Sequence, residues 1–215
     1  RPAQAPPDAT GDDQAAAGAE QRRQVTVLFA DISGFTRLSA EMDAEETHAM
    51  VEAYFAVADE IVRSHGGTVD KHIGDSVMAV FGAPVSHGNE AERALRAALA
   101  IHAAMPQVAR RVGRPLQVHI GVASGQVVAS AVGGDDRFTV TGSSVNLAAR
   151  LTDIAKGGQI AVSEGVRGAL SASAGFGPPQ ALSIKGFDAP VNAYLVERAD
   201  VLDAPAGAAA GPLFG

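Results

Sequence analysis

At 215 residues with 47% apolar content, the chain is long enough to bury one substantial core, and its length fits a single domain with tails. A formal charge of −7 without any Lys or Arg block excludes the basic stripe that a nucleic-acid backbone requires, and no apolar run approaches the ~18 residues of a membrane span, so neither nucleic acid nor membrane contact is expected of this segment. Cysteine is absent and the six His lack a paired spacing, which excludes a disulfide framework and a thiolate zinc site, fits a reducing compartment, and leads to an expected cytoplasmic location.

Residues 1–21 are rich in Ala, Pro, Gly, Asp and Gln and read as a flexible leader or linker. Structure is expected from Arg22, where basic residues lead into the apolar strand Val25 to Ala30 and a turn carrying Asp31, Ser33 and Gly34. Asp43 with Glu46 forms a capping-box start, and Met50, Val51, Tyr54, Phe55, Ala58, Ile61 and Val62 recur at helical spacing up to Gly66 and Gly67. The stretch TVDKHIGDSVMAVFG reads as two strands around a tight Gly74-Asp75 turn. A second helix, capped by Asn89 with Glu92 three residues on, is expected to end before Pro106. PLQVHIGVASGQVVASAVG reads as a hairpin turning at Ser124-Gly125, followed by a strand in RFTVTG and a helix from Ser143 or Ser144 to Gly157. Strand Gln159 to Val162, helix Glu164 to Leu170 and strands near Ala181 to Ile184 and Asn192 to Val196 complete the pattern, before an Ala-, Gly- and Pro-rich tail or linker over 199–215. This order predicts an α+β sandwich, with helices packed on a mixed, mainly antiparallel sheet.

Asp31 at a strand exit and Asp75 at a hairpin tip converge if their strands are neighbours, and such a carboxylate pair suits two Mg²⁺ or Mn²⁺ ions together with substrate phosphates. Gly34 would let backbone N–H groups approach a phosphate. The alternative is that both aspartates simply favour turns. Asn146 and Arg150, four apart, share one helix face that either contacts a nucleotide or is an ordinary solvated face. Lys71 is either functional or an edge-strand lysine that discourages aggregation, and Lys185 is equally a loop cation.

Taken together, ADISGF, KHIGDSVMAVFG, TVTGSSVNLAAR and IKGF occur in an order and spacing that resembles the class III adenylyl and guanylyl cyclase catalytic domain, over about Arg22 to Glu197. The resemblance implies a ferredoxin-like α/β sandwich over 22–198 that binds two divalent ions, Mg²⁺ or Mn²⁺, through Asp31 and Asp75 with the backbone of Ile32 nearby. It implies Gly34, Phe35 and Thr36 beside the triphosphate, Lys71 as the purine-selecting lysine, Asn146 orienting the ribose, Arg150 stabilising charge at the α-phosphate, and Lys185 binding phosphate. The implied reaction is attack of the ribose 3′-oxygen on the α-phosphorus with loss of pyrophosphate, without a protein nucleophile.

Lys71 with Thr139 matches the family's adenine-reading pair, where guanylyl members usually carry glutamate and cysteine, so ATP is the expected substrate and cyclic AMP the product. A lysine donor suits adenine's ring nitrogen and a hydroxyl acceptor suits its exocyclic amine. Thr139 in place of aspartate resembles the subgroup with bicarbonate-responsive soluble cyclases, so bicarbonate stimulation is an expectation resting on that residue. His119 stands where many relatives carry a basic residue, and a neutral imidazole there would weaken a phosphate contact. Because the family draws its metal residues from one subunit and its Asn and Arg from the other, a chain with the full set implies a homodimer with two shared sites, open to covalently fused regulatory domains. A silent nucleotide-binding copy of the domain is the main rival, whereas the GGDEF-type and G-x-x-x-x-G-K signatures of other phosphoryl-transfer folds are absent.

Overall fold

The computed structural model describes residues 21–131, 138–170, 175–185 and 187–197, so the expected leader, apart from Gln21, and the expected tail lie outside the described residues. Among the described residues, eight strands form one sheet in the order β2-β3-β1-β4-β6-β8-β7, with β5 paired to β4. Its spine is β1 (Gln21–Ile32) against β4 (Val118–Ala131), antiparallel in unbroken register from Gln21↔Ala129 to Ile32↔Val118. The hairpin β2 (Thr68–Ile73) and β3 (Ser76–Phe81) flanks β1. β5 (Phe138–Thr141) and β6 (Ile160–Ser163) pair with β4, and β8 (Val191–Leu195) and β7 (Gln180–Leu182) extend the far side. Only β4 with β6 is parallel among these pairings, so the sheet is mixed and mainly antiparallel as the element order predicts.

Helices cover both faces. On one face α2 (Ala44–Ser64), α3 (Glu90–Val112) and α5 (Glu164–Ala169) bury Tyr54, Leu95, Ile101 and Val166 against Leu28, Phe81 and Ile120. On the other, α4 (Ser143–Ile154) presses Leu147, Ala148 and Leu151 onto Val27, Phe29, Met78 and Ala123. Asp43 caps α2 as its spacing predicts: the carboxylate accepts from Glu46 N–H at 2.7 Å and the Glu46 side chain reaches back to the Asp43 N–H.

Three local expectations are corrected by the structure. β4 is a single strand rather than a hairpin, because Gly125 serves close approach and not a turn: a Cβ there would strike the Ser144 hydroxyl of α4. Gly121, on the same face four residues earlier, likewise lies against the Ala148 carbonyl and Thr152, so two side-chain-free positions let α4 sit directly on the strand. α3 continues through Pro106. The lost hydrogen bond and ring clash cost about 3 kcal/mol, yet Ile101, Met105 and Val108 flank it in the core, and side chains of this size contribute roughly 1.5–3 kcal/mol each on burial. At the start of α3 the Asn89 side chain makes no cap; Glu90 instead accepts from Ser86 Oγ and from the His87 and Gly88 N–H groups. A short helix α1 (Phe35–Ala40), for which the sequence pattern gave no expectation, follows Gly34, whose φ of 71° suits glycine.

Candidate active site

The end of β1 and the tip of the β2-β3 hairpin meet, because β1 pairs with β3 from Thr26↔Phe81 to Ala30↔Val77. Asp31 is therefore brought beside Asp75, and Ile32 N–H donates to Asp75 Oδ2 at 3.1 Å. The strand end is anchored from the core by Tyr54, whose fully buried hydroxyl donates to the Ala30 carbonyl at 2.9 Å. Below it, Ser33 N–H donates to the Gln117 carbonyl at 2.9 Å and so ties the following loop to the entry of β4.

Across the ladder from Asp31 stands His119. One ring nitrogen lies 2.9 Å from the Ala155 carbonyl and the other 3.3 Å from Asp31 Oδ2. Both partners offer acceptor oxygens, an arrangement that favours a ring carrying hydrogen on both nitrogens. The Asp31 hydrogen bond, working against burial, moves the His119 pKa upward. His119 is thereby held between Asp31 and the Ala155 carbonyl, as a strand histidine with structural hydrogen bonds is.

The two carboxylates are electrostatically unequal. Burial pulls Asp31 upward, but hydrogen bonds from His119 and Asp75, the His119 charge and the Ile32 N–H together hold it below 3.8. Asp75 is pushed to about 6, first by burial and then by its hydrogen bond with, and the charge of, Asp31. A pair that resists full ionisation is a pair short of positive charge, which is the chemistry a divalent cation would complete. Among the described residues no group of three or more His, Asp or Glu could hold a metal ion. Two carboxylates with substrate phosphates and water as the remaining ligands is the arrangement that suits Mg²⁺ or Mn²⁺.

A second cluster lies where β5 approaches β2. Lys71 Nζ donates to Thr139 Oγ1 at 3.1 Å, joining residues 68 apart in sequence. Asp70, which spacing did not single out, lies between them: its Oδ2 is 3.0 Å from Lys71 Nζ and accepts from the Thr139 hydroxyl at 3.2 Å. The only sequence sign of Asp70 is an acidic residue directly before Lys71, and strand alternation would send the two to opposite faces.

Asn146 and Arg150 are exposed on the outer face of α4, opposite the buried Leu147, Ala148 and Leu151. Arg150 Nη1 donates to Asp153 Oδ2 at 3.1 Å. Gly34, Phe35 and Thr36 open α1 directly after the carboxylate strand, and Lys185 is exposed in the segment that follows β7. Among the described residues, no hydrogen bond or ion pair joins Lys71, Thr139, Asn146 or Arg150 to Asp31 or Asp75. Among them, too, no helix is long and apolar enough to cross a membrane.

Comparison with known proteins accords with this arrangement. The family model described as the adenylate and guanylate cyclase catalytic domain matches residues 17–198. Adenylate cyclase 1 of Rhizobium meliloti is 38% identical over 141 residues, covering 63% of this chain and 21% of that protein. Among solved structures, the guanylyl cyclase Cya2 superposes with a TM-score of 0.77 at 31% identity, covering 82% of this chain and 93% of the other. The adenylyl cyclase CyaB from P. aeruginosa superposes with a TM-score of 0.74, also at 31% identity, covering 82% and 95%. The chain spans only 21% to 38% of the length of three curated relatives it matches, from Mycobacterium bovis, R. meliloti and Anabaena cylindrica. Since the match extends from before β1 to beyond β8, the chain belongs to the adenylate and guanylate cyclase catalytic domain family.

Proposed function

We propose that this domain is an adenylyl cyclase, converting ATP to 3′,5′-cyclic AMP and pyrophosphate in a homodimer with two shared sites. The observation that carries the base assignment is the 3.1 Å contact of Lys71 with Thr139. A lysine and a hydroxyl held side by side offer a donor to the adenine ring nitrogen and an acceptor to its exocyclic amine. Overall similarity does not choose the base, because an adenylyl and a guanylyl cyclase structure are equally identical to this chain.

In this reading Asp31 and Asp75, with the Ile32 backbone, hold two divalent ions, Mg²⁺ or Mn²⁺, whose role when bound is Lewis-acid stabilisation of the attacking and leaving oxygens. The chain's own residues position the substrate. Gly34, Phe35 and Thr36 lie beside the triphosphate, Lys185 binds phosphate, Asn146 orients the ribose, and Arg150 neutralises charge developing at the α-phosphate as the 3′-oxygen attacks and pyrophosphate departs. Arg150 and Asn146, free of contact with the carboxylate pair of their own chain, serve the pair of a second copy. Thr139 is the residue that extends the reading to bicarbonate stimulation. Placement in the cytoplasm and fusion to regulatory domains belong to the same proposal.

Incubating the purified protein with ATP or GTP and Mg²⁺ or Mn²⁺, and identifying the cyclic product, tests the assignment. Cyclic AMP is expected; cyclic GMP as the main product refutes the base assignment, and no product favours a silent nucleotide-binding domain.

The pKa of Asp75 gives this activity a pH signature. A proton competes with metal for a carboxylate raised to about 6, so metal binds less well below that value. The half-saturating Mn²⁺ concentration is expected to rise about tenfold per pH unit below pH 6 and to level off above it. Loss of the His119 charge at higher pH acts in the same direction by leaving the carboxylates less neutralised. A half-saturating concentration that stays flat from pH 5 to 7 would contradict this role for Asp75.

A further inference from the structure

We propose that Asp70 is a specificity-determining positioning residue: its carboxylate sets the direction in which the Thr139 hydroxyl donates and thereby makes the site read adenine. The inference rests on the adenylyl cyclase reading above.

The backbone explains why Asp70 reaches the cluster. Val69 pairs with Ala79 and Lys71 with the next residue, Met78, so Asp70 is the extra residue of a β-bulge. A bulge breaks strict alternation and lets adjacent residues share one side of a strand. Asp70 and Lys71 consequently converge on Thr139, with the Asp70 side chain only 2% exposed and that of Lys71 46% exposed.

Hydrogen-bond accounting then leaves a single outcome. An ionised carboxylate only accepts, so the one Thr139 hydrogen points to Asp70 Oδ2. Of the two Thr139 lone pairs, one accepts from Lys71, leaving one acceptor. Lys71 has three hydrogens, directed to Asp70, to Thr139 and to one further acceptor. The trio therefore presents one donor from Lys71 and one acceptor from Thr139. Adenine offers the complement, an acceptor at ring position 1 and a donor at position 6. A 6-oxo purine reverses both, placing a donor against Lys71 and an acceptor against Thr139. Without Asp70 the hydroxyl is free to rotate and donate outward, and the discrimination is lost. Asp70 Oδ1 is buried without a hydrogen-bond partner. A buried unsatisfied oxygen is costly, and its retention is understandable where the other oxygen performs a task.

The test uses inosine triphosphate, which differs from ATP at ring positions 1 and 6 and lacks the 2-amino group of GTP. The wild-type ratio of kcat/KM for ATP over that for ITP is expected to fall about ten- to a hundredfold in Asp70→Ala, which leaves no acceptor for the Thr139 hydroxyl, with most of the loss in the KM for ATP because base contacts act in ground and transition states alike. Thr139→Val should lower the ratio similarly and Thr139→Ser should keep it. The double variant Asp70→Ala/Thr139→Val should fall no further than Thr139→Val, since no hydroxyl remains to be oriented. An Asp70→Ala variant that keeps the wild-type ratio, or effects that multiply in the double variant, overturns the role of Asp70 alone. A wild type that uses ITP as well as ATP removes the adenine reading and this inference with it. If Asp70→Ala does not fold, a Thr139→Val variant with an unchanged ratio overturns the inference.

Discussion

Asp75→Asn is expected to lower metal-dependent turnover on the order of 10³-fold while leaving the metal-free domain at least as stable as the parent. The first half follows from the proposed role: metal stabilisation of the reacting oxygens is worth several kcal/mol, and about 4 kcal/mol corresponds to roughly 10³ in rate. The second half follows from electrostatics already present without metal. The folded-state pKa of Asp75 is raised from 3.8 to about 6, so the folded protein holds this proton more tightly than the unfolded chain. Below 3.8 both states are protonated and there is no penalty; stability is lost as pH climbs from 3.8 to about 6, and the loss is fully present at neutral pH. A neutral Asn removes that repulsion and keeps an oxygen to accept from Ile32 N–H. Thermal unfolding near pH 7.5 should show Tm unchanged or raised without metal, and the rise that Mn²⁺ with a non-cyclisable ATP analogue gives the parent should be lost. A variant that unfolds without metal would mean that Asp75 is chiefly a structural turn residue.

Two inactive variants are expected to restore one another. Arg150→Ala alone should lose about 10²- to 10³-fold in kcat, the usual cost of one preorganised charge donor. Asp31→Asn should fail for the same reason as Asp75→Asn. If each site takes its carboxylates from one chain and Arg150 from the other, a heterodimer of the two variants contains one fully intact site and one doubly defective site. Equal mixing with random exchange makes half the dimers mixed, each with one site of two, so activity should return to about a quarter of wild type. An assay of the mixture against each variant at matched total protein decides the matter. Activity that stays at the level of the single variants would place a complete site within one chain. Arg150 is mostly exposed and, among the described residues, its side chain bonds to Asp153 three positions on.

Much of the frame was legible because it is written in local chemistry. Asp43 and Glu46 are three apart and cap α2 wherever that helix packs; Gly74-Asp75 turns the β2-β3 hairpin and leaves Asp75 at its tip. The apolar Val25 to Ala30 run likewise carries Asp31 to the sheet end, although pairing with β4 lengthens the strand to Gln21–Ile32. The four motifs also identified the family, since each holds its residues at fixed short spacings.

The same local chemistry misled where a residue's meaning depends on what packs against it. Ser124-Gly125 has the composition of a turn, yet Gly125 lies under Ser144 of α4 and the strand runs on; Pro106 has the composition of a helix stop, yet its helix is held by a buried face. His119 stands across from Asp31 only because the β1–β4 register sets it there, and that contact moves its pKa upward. Asp70 was invisible because a period of two places it on the face opposite Lys71, and only the bulge opposite Ala79 and Met78 brings it round. From the beginning the sequence determined which residues could act: the paired aspartates, the lysine and threonine, the asparagine and arginine of one helix face. Tertiary structure alone decided which of them meet, because long-range pairing across the sheet, and not spacing along the chain, sets Lys71 against Thr139 and leaves Arg150 without contact to the carboxylates of its own chain.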